Sequence, residues 1–128
     1  IAVSNSYYIG LMLSGKKGEE QQAAANKVML HFPGQSGRGA HINVSGAGIL
    51  KNSPNPDNAV KFIEFLLSAE AQNHIVNNTY EYPMHSDVEP NALIAQFGTG
   101  FKEDQTAVAN YGKFNPDAVK LMDRAGWQ

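Results

Sequence analysis

Apolar and polar positions run in blocks along the chain, and the period of each block changes where an element should begin or end. Ile1-Ala2-Val3 is a short apolar run that predicts a strand over residues 1–3. Ser4, Asn5 and Ser6 are all good helix N-cap types, and Tyr7-Tyr8-Ile9-Gly10-Leu11-Met12-Leu13 supplies the first turns of a helix after them. Gly15 and Gly18, with Lys16-Lys17 between, end that helix. A second is predicted over 19–25, its Glu19 and Glu20 placed where the positive end of the helix dipole favours acidic groups. Residues 28–32 have the composition of a strand, and 33–39, Pro-Gly-Gln-Ser-Gly-Arg-Gly, that of a flexible turn. Residues 40–50 alternate at Ile42 and Val44 as a strand does, and Ser45-Gly46-Ala47-Gly48 permits close backbone approach.

The second half carries stronger punctuation. Asn55 as N-cap, Pro56 at the first helical position and Asp57 in the first turn precede Ala59, Val60, Phe62, Ile63, Leu66 and Leu67 on one broad face. Ser68 caps a following helix over 69–77 with Ala71, Ile75 and Val76 inward, and 80–83 leaves it as an extended segment ending at Pro83. Short helices are predicted over 90–97 and 104–110. Asn115-Pro116-Asp117 repeats the earlier start signal, so Ala118, Val119, Leu121, Met122 and Ala125 form a last amphipathic helix closed by Gly126. The order strand, helix, strand, strand, helix gives an α/β fold class.

Composition narrows the function. With 128 residues and 42% hydrophobic positions the chain has the size of one globular domain. A formal net charge of −2 and only 17% charged residues provide no electrostatic footprint for nucleic acid. No apolar run approaches the roughly 18 residues of a membrane span; the longest, 9–13, is interrupted by Gly10. The absence of cysteine removes disulfides, zinc knuckles, iron–sulfur clusters and thiol catalysis together. Ile1 opens inside an apolar run with no initiator Met, basic leader or cap, so the expectation is a longer chain, with any signal peptide and further site residues upstream. Sheets left incomplete in this way should show unpaired edges and uncovered apolar faces.

Most candidate chemistry has an ordinary explanation. His31, His41, His74 and His85 match no metal-binding helical pair. Gly37-Arg38-Gly39 starts like a dinucleotide fingerprint, but Ile42 stands where the third Gly belongs and a strand, not a helix, follows. Gly34-Gln35-Ser36-Gly37 lacks the spacing of a nucleophile elbow. Glu19 with Glu20, and Asp57 with Glu64, sit on predicted helix faces where capping and solvation account for them.

Tyr7-Tyr8 differs by its position. Neighbours on a helix point about 100° apart, so ordinary packing buries one ring and leaves the other outside. The chemical reading starts from the helix N-terminus, whose partial positive charge and amide groups favour an anion such as a phenolate. A phenol with a pKa near 10 ligates at neutral pH only where a highly charged hard cation displaces its proton, as ferric iron does. Two rings on one helical turn would fill two cis positions of an octahedral shell.

Asn5-Ser6-Tyr7-Tyr8, Phe32-Pro33, the stretch Gly37-Arg38-Gly39-Ala40-His41-Ile42-Asn43-Val44-Ser45-Gly46-Ala47-Gly48, Tyr80-Glu81-Tyr82-Pro83 and the closing Met122-Asp123-Arg124-Ala125-Gly126-Trp127 together resemble the C-terminal part of the ferric iron-binding proteins of bacterial ABC transporters. The resemblance implies a C-terminal fragment of a two-lobe type II periplasmic-binding-protein fold. Residues 1–38 would be part of the ligand-binding lobe 2, 39–89 a crossover strand and part of lobe 1, and 90–128 C-terminal helices returning to lobe 2. It implies that Tyr7 and Tyr8 donate phenolates to Fe(III), that Asn5 helps hold a synergistic anion in members that use one, and that the remaining ligands, a His, Glu or additional Tyr, lie upstream. Ala40 stands where a hydroxyl residue is expected.

The implied function is capture of Fe(III) and its delivery to an ABC permease, without catalysis, by a monomeric periplasmic or lipid-anchored protein. Two alternatives stay open at this point. One is a related binding protein for an oxyanion or small organic solute, with the Tyr pair packed on the ligand; the other is a hydrolase or transferase domain whose catalytic residues lie in the upstream half.

Overall fold

A computed structural model describes residues 1–106 and 108–127. The elements are α1 (Ser6–Leu13), α2 (Glu19–Ala25), α3 (Pro56–Leu66), α4 (Ala69–Thr79), α5 (Ala92–Ala95), a 3₁₀ turn (Val108–Asn110) and α6 (Tyr111–Arg124). They divide between two compact units: residues 1–32 with 45–101, and residues 33–44 with 102–128.

In the first unit α1 packs against α2 and α5, and α3 against α4. The core is small: Ala25, Ala71, Val76, Tyr80, Val88 and Ile94. Gly18 enters α2 at φ 94°, a left-handed value that Gly adopts at no steric cost. The Gln22 side-chain amide of α2 donates to the Leu13 carbonyl at 2.8 Å, giving the end of α1 an acceptor's partner. Ser68 caps α4 as expected, its Oγ accepting from the Ala71 amide at 3.3 Å. The buried Gln72 has both ends of its amide satisfied, donating to the Leu66 carbonyl and accepting from the Met84 amide, each at 2.8 Å. Phe32 and Phe101, the two residues at which the chain leaves this unit, stack at 4.0 Å with ring planes 7° apart. Tyr82 meets Phe101 edge-on and donates its hydroxyl to the Gly98 carbonyl at 2.8 Å.

The second unit is tied by backbone and side-chain bonds between chain segments far apart in sequence. Ala40 and Glu103 form a parallel bridge, with Ala40 N donating to Lys102 O and Asp104 N to Ala40 O, both at 2.8 Å. Gln35 brackets Lys102, accepting from its amide at 2.6 Å and donating to its carbonyl at 3.0 Å, while Lys102 Nζ donates to the Gly37 carbonyl. Arg38 Nε meets Asp104 Oδ2 at 2.8 Å and its Nη2 donates to Thr106 Oγ1 at 3.0 Å. The Thr106 amide, then its hydroxyl, then Arg38 hold the Asp104 carboxyl below its ordinary range. Tyr111 closes the unit by donating to the Ile42 carbonyl at 3.1 Å.

Several elements differ from those the sequence predicts. Residues 1–3, 28–32 and 40–50 form no strand among the described residues, apart from the Ala40 bridge. A strand is defined by its ladder as much as by its own residues, and these runs meet no neighbour to pair with. Val3, Met29 and Leu50 are consequently more than four-fifths exposed. The segment 33–39 is stapled rather than loose. Tyr80 is not extended: it closes α4 in the left-handed region at φ 63°, ψ 20°, with its amide on the Val76 carbonyl. The helix expected over 90–97 contracts to Ala92–Ala95, capped by Asn91, whose Oδ1 accepts from Leu93 N at 3.0 Å. Of the helix expected over 104–110 only Val108–Asn110 is helical, and Ala107 lies outside the described residues. Asp104 accounts for this, since its amide is committed to Ala40 and its carboxylate accepts from Thr106 N, a local turn that competes with helix. The last helix starts at Tyr111 rather than at Asn115, which leaves Pro116 in its interior.

Apolar faces of two helices lie uncovered. The inward face predicted for α3 keeps Val60, Phe62 and Leu67 exposed, and α6 exposes Val119, Leu121 and Met122.

Two stability predictions follow from the caps and breaks. Ser68→Ala, which removes the α4 cap, should cost about 1 kcal/mol in urea unfolding. Pro116→Ala restores an amide to the interior of α6 and should raise helical content and stability by up to about 3 kcal/mol, measured by circular dichroism during thermal unfolding.

Candidate functional site

The tyrosine pair stands at the start of α1. Asn5 occupies the N-cap with extended backbone (φ −73°, ψ 141°), but its side chain does not cap the helix. Its Nδ2 donates instead to the Tyr7 hydroxyl at 3.2 Å. The structure therefore brings together all three residues that the sequence singles out. Tyr7 is half-buried and Tyr8 is 49% exposed. The rings lie with centroids 4.5 Å apart and planes tilted by 49°, so the pair does not divide into one core ring and one distant surface ring.

Tyr8 acts on the Tyr7 hydroxyl. Tyr7 is held above the ordinary phenol value of 10.0, first by its hydrogen bond with Tyr8, then by desolvation and the Tyr8 charge; Asn5 pulls the other way, and the Glu81 carboxylate adds to the rise. Without a cation, Tyr7 stays protonated through the neutral range. Glu81 accepts from the Ser45 hydroxyl at 2.7 Å. An ion able to ionise both rings must supply the charge that the surroundings lack.

The other candidates do not assemble. Among the described residues no group of three or more His, Asp or Glu is placed to hold a metal. His31 and His74 are exposed, and the His85 Nδ1 accepts from the Asp87 amide at 3.2 Å, a local turn bond. His41 lies in the second unit 5.2 Å from the Tyr111 ring, beside an open cavity of about 390 Å³ that also touches Arg38, Asp104 and Phe114. Glu19 and Glu20 cap the dipole of α2 and Asp57 that of α3, while Glu64 is exposed on α3.

The chain matches the model of the bacterial extracellular solute-binding protein family over residues 8–73, about half its length. The chain belongs to that family. Its kinship extends to both ends of the sequence: it is 44% identical over all 128 residues to iron uptake protein A1 of Synechocystis, of which it spans 35%. Among solved structures, Trichodesmium IdiA in complex with iron and citrate superposes with a TM-score of 0.90 at 47% identity, over 98% of this chain and 39% of that one. The ferric binding protein of Campylobacter jejuni superposes at 0.87 with 42% identity, over 99% of this chain and 40% of that one. These neighbours have the two-lobe periplasmic-binding-protein fold, so the fold class of this family member is α/β even though its own extended runs carry no ladder. Among the described residues no helix is long and apolar enough to cross a membrane.

One part of the site's surroundings escaped the sequence. Tyr80 looks like the start of an extended segment, yet it lies beneath α1, and Glu81 after it acts on Tyr7. The available signal was Gly10, since a glycine inside an apolar helical turn marks a close approach.

The effect of Tyr8 and Asn5 on Tyr7 is testable by alkaline titration of the tyrosine absorbance. Tyr8→Phe removes the main cause of the Tyr7 rise and should lower the Tyr7 pKa. Asn5→Ala removes an opposing influence and should raise it. Because the folded-state pKa lies above the unfolded one, the linked stability is present below about pH 10 and lost as pH rises through the folded value.

Proposed function

We propose that this protein is an extracytoplasmic ferric-binding protein in which Tyr7 and Tyr8 supply two phenolate oxygens to Fe(III). The observation that carries this reading is the pairing of the two rings at the N-terminus of α1, with centroids 4.5 Å apart and Tyr8 acting on the Tyr7 hydroxyl. It is supported by relatives that are iron-uptake and ferric-binding proteins. Fe(III) is cargo here, and the protein carries out no chemical conversion on it.

Phenolates are hard anionic donors, and a trivalent ion offsets both the repulsion between them and the nearby carboxylate of Glu81. Capture releases the phenol protons, so affinity should rise with pH, and acid should favour release. Asn5, already bonded to Tyr7, is placed at the helix N-terminus where a synergistic anion would add charge and further oxygen ligands. The citrate found with iron in the Trichodesmium structure is consistent with such an anion. In the two-lobe division that accompanies this reading, 1–38 and 90–128 belong to the ligand-binding lobe 2, and 39–89 to the crossover and lobe 1. Closure of the lobes brings the remaining ligands to the ion and supplies affinity. A monomer in the periplasm, free or lipid-anchored, would then pass the ion to an ABC permease.

The test is titration of the full-length protein with ferric citrate. A visible phenolate-to-iron charge-transfer band is expected, with proton release on binding. Tyr7→Phe or Tyr8→Phe should weaken binding by more than the roughly 10–100-fold typical of an outer-shell partner, and the double variant should be colourless. A band that persists in the double variant refutes the site. A colourless wild-type protein that is stabilised by phosphate and indifferent to iron assigns it to an oxyanion instead.

A further inference from the structure

The helix that carries the tyrosine pair is only eight residues long and has a single buried residue, Gly10. What Gly10 touches is Tyr80. A Cβ placed on Gly10 would stand 2.6 Å from Tyr80 Cβ, 2.9 Å from its Cγ and 2.9 Å from Ile94 Cδ1, distances that real side chains do not tolerate. The backbone of α1 therefore rests directly on the Tyr80 side chain. The contact continues along the helix: Lys16 Nζ, just past the C-terminus of α1, lies 5.1 Å from the centre of the Tyr80 ring, a cation–π distance. Tyr80 itself is 4% exposed, so the ring is enclosed on its other sides as well.

The backbone at Tyr80 is the second observation. Among the described residues it is the only non-glycine with positive φ, at 63°. A left-handed residue closing a helix is ordinarily Gly or Asn, because a Cβ in that conformation crowds the following carbonyl oxygen. The cap of α4 alone does not call for a tyrosine. A side chain packed, beside Ile94, against the backbone of α1 at Gly10 does.

We propose that Tyr80 is a positioning residue for the tyrosine pair: locked by its left-handed backbone at the end of α4, it bears on Gly10 and the C-terminal end of α1 and so sets where the other end of that helix holds the Tyr7 and Tyr8 oxygens. This rests on the ferric reading of the pair. A helix of two turns moves as a rod, so a shift at Gly10 displaces both oxygens together. Metal coordination tolerates little of it, because ligands must be held within about 0.5 Å of their productive positions.

The experiment uses the full-length protein loaded with ferric citrate, reading the energy of the charge-transfer band and the affinity together. Tyr80→Phe keeps the ring and should leave both near wild type. Tyr80→Gly suits the left-handed backbone, so the cap survives, but it deletes the brace; the band should shift and affinity fall roughly 10–100-fold, as for an outer-shell partner. Gly10→Ala pushes on the same contact from the helix side and should shift the band in a protein whose Tyr80 is intact, which makes the test independent of how Tyr80→Gly folds. A role confined to stability would lower the melting temperature and leave the band of the folded protein where it was. If wild type shows the band and Tyr80→Gly and Gly10→Ala leave its energy and the affinity unchanged, Tyr80 has no positioning role and the ferric reading stands. If wild type shows no band, the ferric reading fails and the positioning role fails with it.

Discussion

The absence of a side chain at Gly10 is what allows the first unit to assemble. Helix against helix needs a separation of 8–10 Å when ordinary side chains intervene. Here the space that a methyl group would fill is taken by Tyr80 and Ile94, the former at 4% exposure and the latter at 0%. With so few buried residues in the unit, this one junction orders α1, the end of α4 and α5 together, and α1 in turn presents the tyrosine pair. Close packing of this kind is sensitive to single methylene groups, unlike the loosely covered faces of α3 and α6.

At the pair itself, the interactions oppose ionisation. Tyr8, desolvation and the Glu81 carboxylate all raise the Tyr7 pKa, and only the Asn5 amide lowers it. Left to itself Tyr7 is a neutral hydroxyl that accepts from the Asn5 amide. For Tyr7 to act as an anion near neutral pH, a partner must bring positive charge, and the proposed ferric cargo would do so.

How much of this was visible in the sequence varied with the range of the interaction. Helix starts and stops are local, so the Ser68 cap, the Pro56 start and the Gly-flanked α2 emerged where propensity and capping place them. The Tyr7-Tyr8 pair was legible too, because adjacency and a helix N-terminus are both sequence properties. Strands were not: Ile42 and Val44 alternate as a ladder would require, but a ladder partner must come from a separate segment, and among the described residues only Ala40 finds one, in Glu103. Pro116 misled for a related reason. It looks like a first-turn residue, yet Tyr111, anchored on the Ile42 carbonyl, marks where the helix begins. Tyr80 was hidden because its role depends on Gly10, a residue on another element.

The second unit is built from two stretches, 33–44 and 102–128, with most of the first unit's chain threaded between them. Its holding contacts, Gln35 and Lys102, Ala40 and Glu103, Arg38 and Asp104, all join the early stretch to the late one. On a ribosome adding about 5–20 residues per second, the early stretch emerges roughly 3–12 s before its partners exist. During that interval the backbone groups of Ala40, which pair only with 102–104, have no mate, so translation order exposes this stretch to mispairing until the late stretch arrives.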